Sequence, residues 1–281
     1  MKKIILPTDF SENAWNAIFT ALKLYADLKC HFFVLNAYEP NVLKPLGSKG
    51  HKRLDVIYDS LSQHSESELS QILTYLEKNH INPNHSFETL SVESTFEEAI
   101  QQIAAEKDAD LIIMGTQGAT GAKQIFLGSN TVKVIHQVKN IPILAIPEGF
   151  NFQRLKTFIF STDFMKPYDK FELKSLTELV NTWHAEIEVV HVAEEFKLNE
   201  IQQTNKKILE ERFSGMVFKF TDLPFQSSTA YTIKEHINKK TSDILGIMRH
   251  QHTFMQKLTG EPVVKKIAFQ STIPVLFLPE K

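Results

Sequence analysis

One segment concentrates residues able to hold a charged ligand: Gly115, Gly118, Gly121 and Gly128, followed by Ser129, Asn130 and Thr131. Glycine lacks a Cβ, so its backbone can turn tightly and bring its amides against a ligand. Ser129 is expected to cap a helix over Thr131–Val138. Unpaired amides at such a helix start, at the positive end of its dipole, suit a phosphate. Taken alone, the loop is equally a glycine-shaped surface turn. It has no Gly-Lys-Ser/Thr of a P-loop, and no Gly-x-Gly-x-x-Gly follows the first apolar run.

A second group recurs. Thr8-Asp9-Phe10 and Thr162-Asp163-Phe164 each end a short apolar run, 154 residues apart. Asp9 faces either a ligand or its own helix start, as a cap. The partner of the glycine loop is altered. Aligning Met248 with Met114 sets Arg249 and His252 under Gly115 and Gly118; aligning backwards from Ile273 sets Gly260 and Glu261 under Gly128 and Ser129, with the loop between them two residues shorter. Glu261 favours a helix start but repels phosphate from it, whereas Arg249 offers a cation to an anionic ligand. His250 and His252 alternate onto one side of an extended segment, but no third ligand lies nearby, so no metal site is expected.

These groups need elements to position them, and the chain supplies two matching sets. The ends of the halves also repeat, IPILAIPEG at 141–149 and IPVLFLPEK at 273–281. The boundary is expected between Glu148 and Gln153, giving domains 1–149, with the intact loop, and 150–281, with the altered one. Strands are predicted at Lys3–Leu6, His31–Ala37, His85–Ser91, Leu111–Met114 and Ile141–Ile146, then near Thr157–Ser161, Glu186–Val192, Met216–Phe220, Asp243–Met248 and Ile273–Leu278. Helical patterns alternate with them. Ser11 caps a stripe of Trp15, Ile18, Leu22 and Tyr25, and a Thr95/Glu98 capping box precedes Phe96, Ala99, Ile100, Ile103 and Ala104. A helix over Leu54–Lys78 is expected after a loop at Pro45–Lys52. In the second half helices are expected near Lys170–Trp183, Glu195–Arg212, Thr229–Lys240 and Glu261–Phe269. Alternating β and α elements with continuous apolar strands predict two tandem doubly wound five-stranded parallel sheets. Segments after the strands' carboxyl ends then border a crevice where ligands bind.

The composition, 42% hydrophobic and 23% charged over 281 residues, fits two ordinary globular domains. A net charge of −2 offers no basic field for nucleic acid or anionic lipid. No apolar run nears the roughly 18 residues a membrane span needs, and Pro7, Asp9 and Glu12 break the first one. The expected location is the cytoplasm. The single cysteine, Cys30, excludes an intrachain disulfide and reads as a core residue.

Gly115, Gly118, Gly128 and Ser129 match the Gly-x2-Gly-x9-Gly-Ser/Thr signature, and in that strand context the chain resembles the ATP-binding universal stress proteins. Met114-Gly115-Thr116 and the opening Pro7-Thr8-Asp9 share the resemblance, which extends in weaker form over the second half. It implies an adenine nucleotide alpha hydrolase-like fold with strand order 3-2-1-4-5. It also implies Pro7, Thr8 and Asp9 beside the nucleoside, the backbone near Ala37 against adenine, and Met114, Gly115, Gly118, Gly128, Ser129 and Asn130 around ribose and phosphates. The implied ligand is ATP, ADP or AMP, with Mg²⁺ accompanying ATP. The last strands of the halves are expected to pair as an internal pseudo-dimer, with homodimerisation of whole chains left open. The leading function is a nucleotide-responsive stress or signalling module. A slow ATPase and a ligand-free adaptor are its rivals: no nucleophile, P-loop lysine or metal-binding carboxylate pair stands out, while Lys123 and Lys133 either neutralise phosphates or, by default, are solvated surface lysines.

Overall fold

A computed structural model describes residues 1–39, 49–116, 128–193, 197–239, 243–249 and 271–279. The first half runs β1 (Lys2–Pro7), α1 (Glu12–Leu24), β2 (Cys30–Tyr38), α2 (Lys49–Asn79), β3 (His85–Glu93), α3 (Phe96–Lys107), β4 (Leu111–Gly115), α4 (Ser129–Gln137) and β5 (Ile143–Ile146). The second runs β6 (Thr157–Ser161), α5 (Lys174–Trp183), β7 (Glu186–Ala193), α6 (Glu200–Arg212), β8 (Phe218–Pro224), α7 (Thr229–Lys239), β9 (Ile244–Met248) and β10 (Val275–Leu278).

All ten strands form one sheet, ordered β3-β2-β1-β4-β5-β10-β9-β6-β7-β8. Each half therefore has the order 3-2-1-4-5. Within a half every pairing is parallel, and the halves meet where β5 and β10 pair antiparallel, Leu144 opposite Leu276. The expected pairing of the two final strands is thus present. It turns two edges that would each expose unpaired amides into interior strands.

Both faces of the sheet are covered. Ile4, Leu6, Phe32 and Val34 join one core cluster and Ile5, Phe33 and Leu35 the other, the alternation a strand imposes on side chains that all must be buried. Cys30 is buried in the first cluster, and burial pushes its thiol up to about 11, leaving it neutral packing.

Helix starts follow their capping residues. Ser11 accepts from the Ala14 amide, and Asn199 and Gln202 form a full capping box, so α6 begins at Glu200 rather than near Glu195. Thr95 accepts from the Glu98 amide at 3.4 Å, while the Glu98 carboxylate accepts a hydrogen bond from the Ser94 hydroxyl rather than completing the expected box. α2 starts at Lys49, earlier than Leu54. α5 starts at Lys174, later than Lys170, because Asp169 and Glu172 close a separate turn ahead of it through reciprocal side chain–amide bonds of 2.9 and 2.8 Å. The helix expected at Glu261–Phe269 lies outside the described residues.

Candidate functional site

The turn after β1 is built from its own side chains. The Thr8 hydroxyl accepts the Phe10 amide at 3.0 Å, and Phe10 takes a left-handed φ of 65°. Asp9 Oδ1 accepts from both the amide and the hydroxyl of Ser11, the residue that caps α1. Asp9 therefore braces the cap and is not itself the cap. Asn36, buried near the end of β2, donates to the Thr8 carbonyl at 2.8 Å and ties the turn to the neighbouring strand.

The other wall comes from β4 and α4. The Gly128 amide donates to the Thr116 carbonyl, and the Thr131 hydroxyl donates to the Gly115 carbonyl at 3.1 Å, closing the two ends of the glycine loop on each other. Gly128, not Ser129, is the N-cap of α4, and Ser129 is its first helical residue. The extended φ/ψ of a cap falls on the glycine, which has no side chain to bond the helix amides. The helix start thus lacks a side-chain cap, while Ser129 and Asn130 are exposed beside it.

Gly115 has a reason beyond ligand approach. A Cβ there would stand 2.6 Å from Asn13 Nδ2 and 3.0 Å from the Asn13 carbonyl. The glycine is what lets α1 pack against the end of β4.

These parts enclose a cavity of about 360 Å³. It is lined by Pro7, Thr8, Asp9, Ala37, Met114, Gly115, Gly128, Ser129 and Asn130, the nine candidates that fall among the described residues. Gly118, the tenth, lies outside them, as do Gly121 and Lys123. Thr131, named from sequence with the donors of the loop, lines it too; Ala14, Asn36 and Phe96 complete the lining and were not singled out from sequence as ligand contacts. Asn36 had a readable signal, one amide in an otherwise apolar strand. Phe96 was assigned to the core stripe of α3. Asp9 is the only acidic or basic side chain among these residues.

The equivalent corner of the second half keeps the turn and changes its surroundings. Thr162 accepts the Phe164 amide at 2.9 Å, and Phe164 has a φ of 56°. Here, however, the Tyr168 hydroxyl meets Thr162 Oγ1 at 2.6 Å, and Gln202 and Asn205 of α6 donate to the Asp163 and Phe164 carbonyls. The amides of Thr8 and Thr162 donate to the Leu35 and Val190 carbonyls, so His191 stands where Asn36 does. It is buried, tilted against the Phe164 ring and paired with Asp222 at 3.1 Å.

Register corrects one expectation from sequence. The Thr116 amide bonds the Ile146 carbonyl as the Arg249 amide bonds the Leu278 carbonyl, and Asp110 and Asp243 bond matching carbonyls on β1 and β6. Met248 is thus the counterpart of Gly115, and Arg249 of Thr116. Nor does Arg249 offer its charge to a ligand. It is buried and donates to the carbonyls of Ile135, Val138, Lys139, Ile141 and Leu278, and desolvation lowers its pKa to about 10. His250, His252, Gly260 and Glu261 lie outside the described residues. Among the described residues no His, Cys, Asp and Glu group could hold a metal ion, and no helix is long and apolar enough to cross a membrane.

Residues 1–147 match the sequence profile of the Universal stress protein family. Two relatives from Methanocaldococcus jannaschii each align with about half of the chain. Universal stress protein MJ0577 is 30% identical over 154 residues, 52% of this chain and 94% of the relative. Universal stress protein MJ0531 is 27% identical over 145 residues, 52% of this chain and 81% of the relative. In three dimensions the likeness covers both halves. The crystal structure of a universal stress protein from Archaeoglobus fulgidus superposes with a TM-score of 0.67 over 99% of this chain and 96% of that one, at 16% identity. At that identity the superposition speaks for the fold, and it assigns the same fold to each half.

Proposed function

The chain belongs to the universal stress protein family, and from that premise we propose that it is an adenine-nucleotide-binding module with one site, in the domain formed by residues 1–149. The observation that carries the proposal is the cavity on which β1, β2, β4 and the start of α4 converge. Its volume, about 360 Å³, lies in the range of small-ligand pockets. Its two ends differ in chemistry. Ala37, Phe96 and Met114 give an apolar side for a base, Asp9 presents a carboxylate that sugar hydroxyls can reach, and the uncapped start of α4 with Ser129 and Asn130 presents donors to phosphates. Mg²⁺ would enter with a triphosphate, held by phosphate oxygens and water.

Binding, rather than turnover, is the better-supported reading. With Asp9 the one titratable group among the described lining residues, no acid–base pair and no activated nucleophile is at hand. Residues 150–281 act as a second domain that forms an internal pseudo-dimer with the first through β5 and β10. The protein then works by ligand-dependent conformation or partner choice, in the cytoplasm.

The direct test is mass spectrometry of small molecules released when the purified protein is denatured, followed by calorimetry with ATP, ADP and AMP. One nucleotide per chain is expected. Absence of any adenine nucleotide in both measurements would refute the reading, and steady phosphate release at a catalytic rate would replace it with the ATPase.

A further inference from the structure

Two of the three helices whose N-terminal ends border the cavity, α1 and α4, are held at their C-terminal ends by the second half. α4 begins at the cavity with Ser129 and ends at Gln137. Its last-turn carbonyls have no partner inside the helix. The Arg249 guanidinium supplies one, donating to Ile135 at 3.3 Å and to the cap residue Val138. It continues to Lys139 at 3.1 Å and to Ile141, the turn that leads into β5. α1 starts beside the cavity, with Ser11 capping it and Ala14 on the lining. At its far end the Leu24 carbonyl accepts the Trp183 indole N–H at 2.9 Å. Arg249 and Trp183 both belong to the second half.

Arg249 has no ion-pair partner among the described residues, yet it is buried. A buried charge needs compensation. The negative end of the α4 dipole and five carbonyl oxygens provide it. The cation and the ligand would then sit at opposite ends of a single helix, about 13 Å apart by helical rise. The contact is also one-sided: the first-half counterpart of Arg249 is Thr116, too short to reach across the seam in return.

We propose that Arg249 is a positioning residue for the cavity of the first half, acting through α4, and that Trp183 plays the same part through α1. This rests on the reading of the cavity as a nucleotide site. The second half thereby fixes the direction in which the amides of Ser129, Asn130 and Thr131 point. A ligand that orders those amides in turn tightens the grip of Arg249, since coupling between two ends of one element is reciprocal.

The experiment uses the full chain with Arg249→Met, Arg249→Lys and Trp183→Phe. ATP affinity is measured by calorimetry well below each variant's melting temperature, and hydrogen exchange is followed at residues 129–138. Arg249→Met is expected to weaken ATP roughly tenfold, the scale of a lost charge at a helix end, with unchanged stoichiometry. Arg249→Lys should recover part of the loss, because it restores the charge without the fork of donors. Trp183→Phe should weaken ATP a few-fold. Exchange at 129–131 should rise in Arg249→Met even without ligand. Wild-type affinity in Arg249→Met, or equal losses in the Met and Lys variants with unchanged exchange at 129–131, would overturn the proposal. Should Arg249→Met fail to fold, Arg249→Lys and Trp183→Phe decide it, and wild-type affinity in both overturns it. If the wild-type chain binds no adenine nucleotide, the nucleotide reading fails. Exchange at 129–131 in ligand-free protein then still decides whether Arg249 holds that turn.

Discussion

The turns after β1 and β6 share their internal bonding, yet the first borders a cavity while the second is bonded by Tyr168, Gln202 and Asn205. Both have a threonine hydroxyl that accepts an amide two residues on and a phenylalanine with positive φ. The difference lies in what surrounds them. The first half places Asn36 and a glycine beside the turn; the second places His191, Tyr168 and, at the glycine's position, Met248. A backbone scaffold can thus be inherited whole while its chemistry is decided by a few neighbouring side chains.

The hardest test of that contrast is to give the first half the second half's residue. Gly115→Met would drive a Cβ against Asn13 and displace the start of α1. Detectable ATP binding should be lost, with an overpacking cost of about 1–3 kcal/mol in urea denaturation. Normal ATP affinity in this variant would mean that the glycine does not distinguish the halves.

Ser129→Glu should separate affinity from stability. A carboxylate at the first helical position favours the positive end of α4 and leaves the melting temperature unchanged or slightly raised, while repelling phosphates. ATP should weaken about tenfold or more, equivalent to about 1.4 kcal/mol, and adenosine much less. An equal loss for adenosine would move the phosphates elsewhere.

Acid should destabilise the first half through His80 and His85. His85 Nε2 lies 3.0 Å from the Tyr25 carbonyl, so it carries the proton, leaving Nδ1 to accept from His80 Nε2 at 2.9 Å. Burial, and for His80 also the neighbouring His85, holds both below the ordinary histidine value. The unfolded chain therefore takes up protons first as pH falls. The pair's contribution is complete above pH about 6.5 and is lost as pH drops through the lowered folded values. Urea midpoints between pH 7.5 and 5 should fall for wild type and less steeply for His85→Phe; parallel slopes would remove the pair from the account.

The smallest effect belongs to the turn after β6. Tyr168→Phe removes one buried hydrogen bond to Thr162 and should cost about 1 kcal/mol with ATP binding unchanged. A change in ATP affinity would show the second turn to be coupled to the first half's cavity.

Most of the architecture was legible because fully buried strands leave long apolar runs, and β6 was placed to the residue at Thr157–Ser161. The edge strand β8 was not: it runs through Asp222 to Pro224, residues that strands usually avoid, and Asp222 finds a reason there only by pairing with His191 of β7. The one-residue error at Arg249 arose from matching methionine to methionine. Counting from Asp110 and Asp243, which bond equivalent carbonyls ahead of β4 and β9, gives the register that the backbone adopts. Asn36 and Phe96 were missed as lining residues because each also satisfies a local role, one bracing a turn and one extending a helix stripe.

The antiparallel seam between β5 and β10 joins two halves of one covalent chain. Dilution cannot separate partners that share a backbone, so melting should be independent of protein concentration for as long as the seam is the assembly. The tether also lifts a constraint on inheritance. In a pair of identical chains, any substitution at the seam appears twice and must suit both sides. Within one chain, Arg249 can arise on one side while the matching position on the other keeps Thr116, so the two halves are free to specialise while remaining bound.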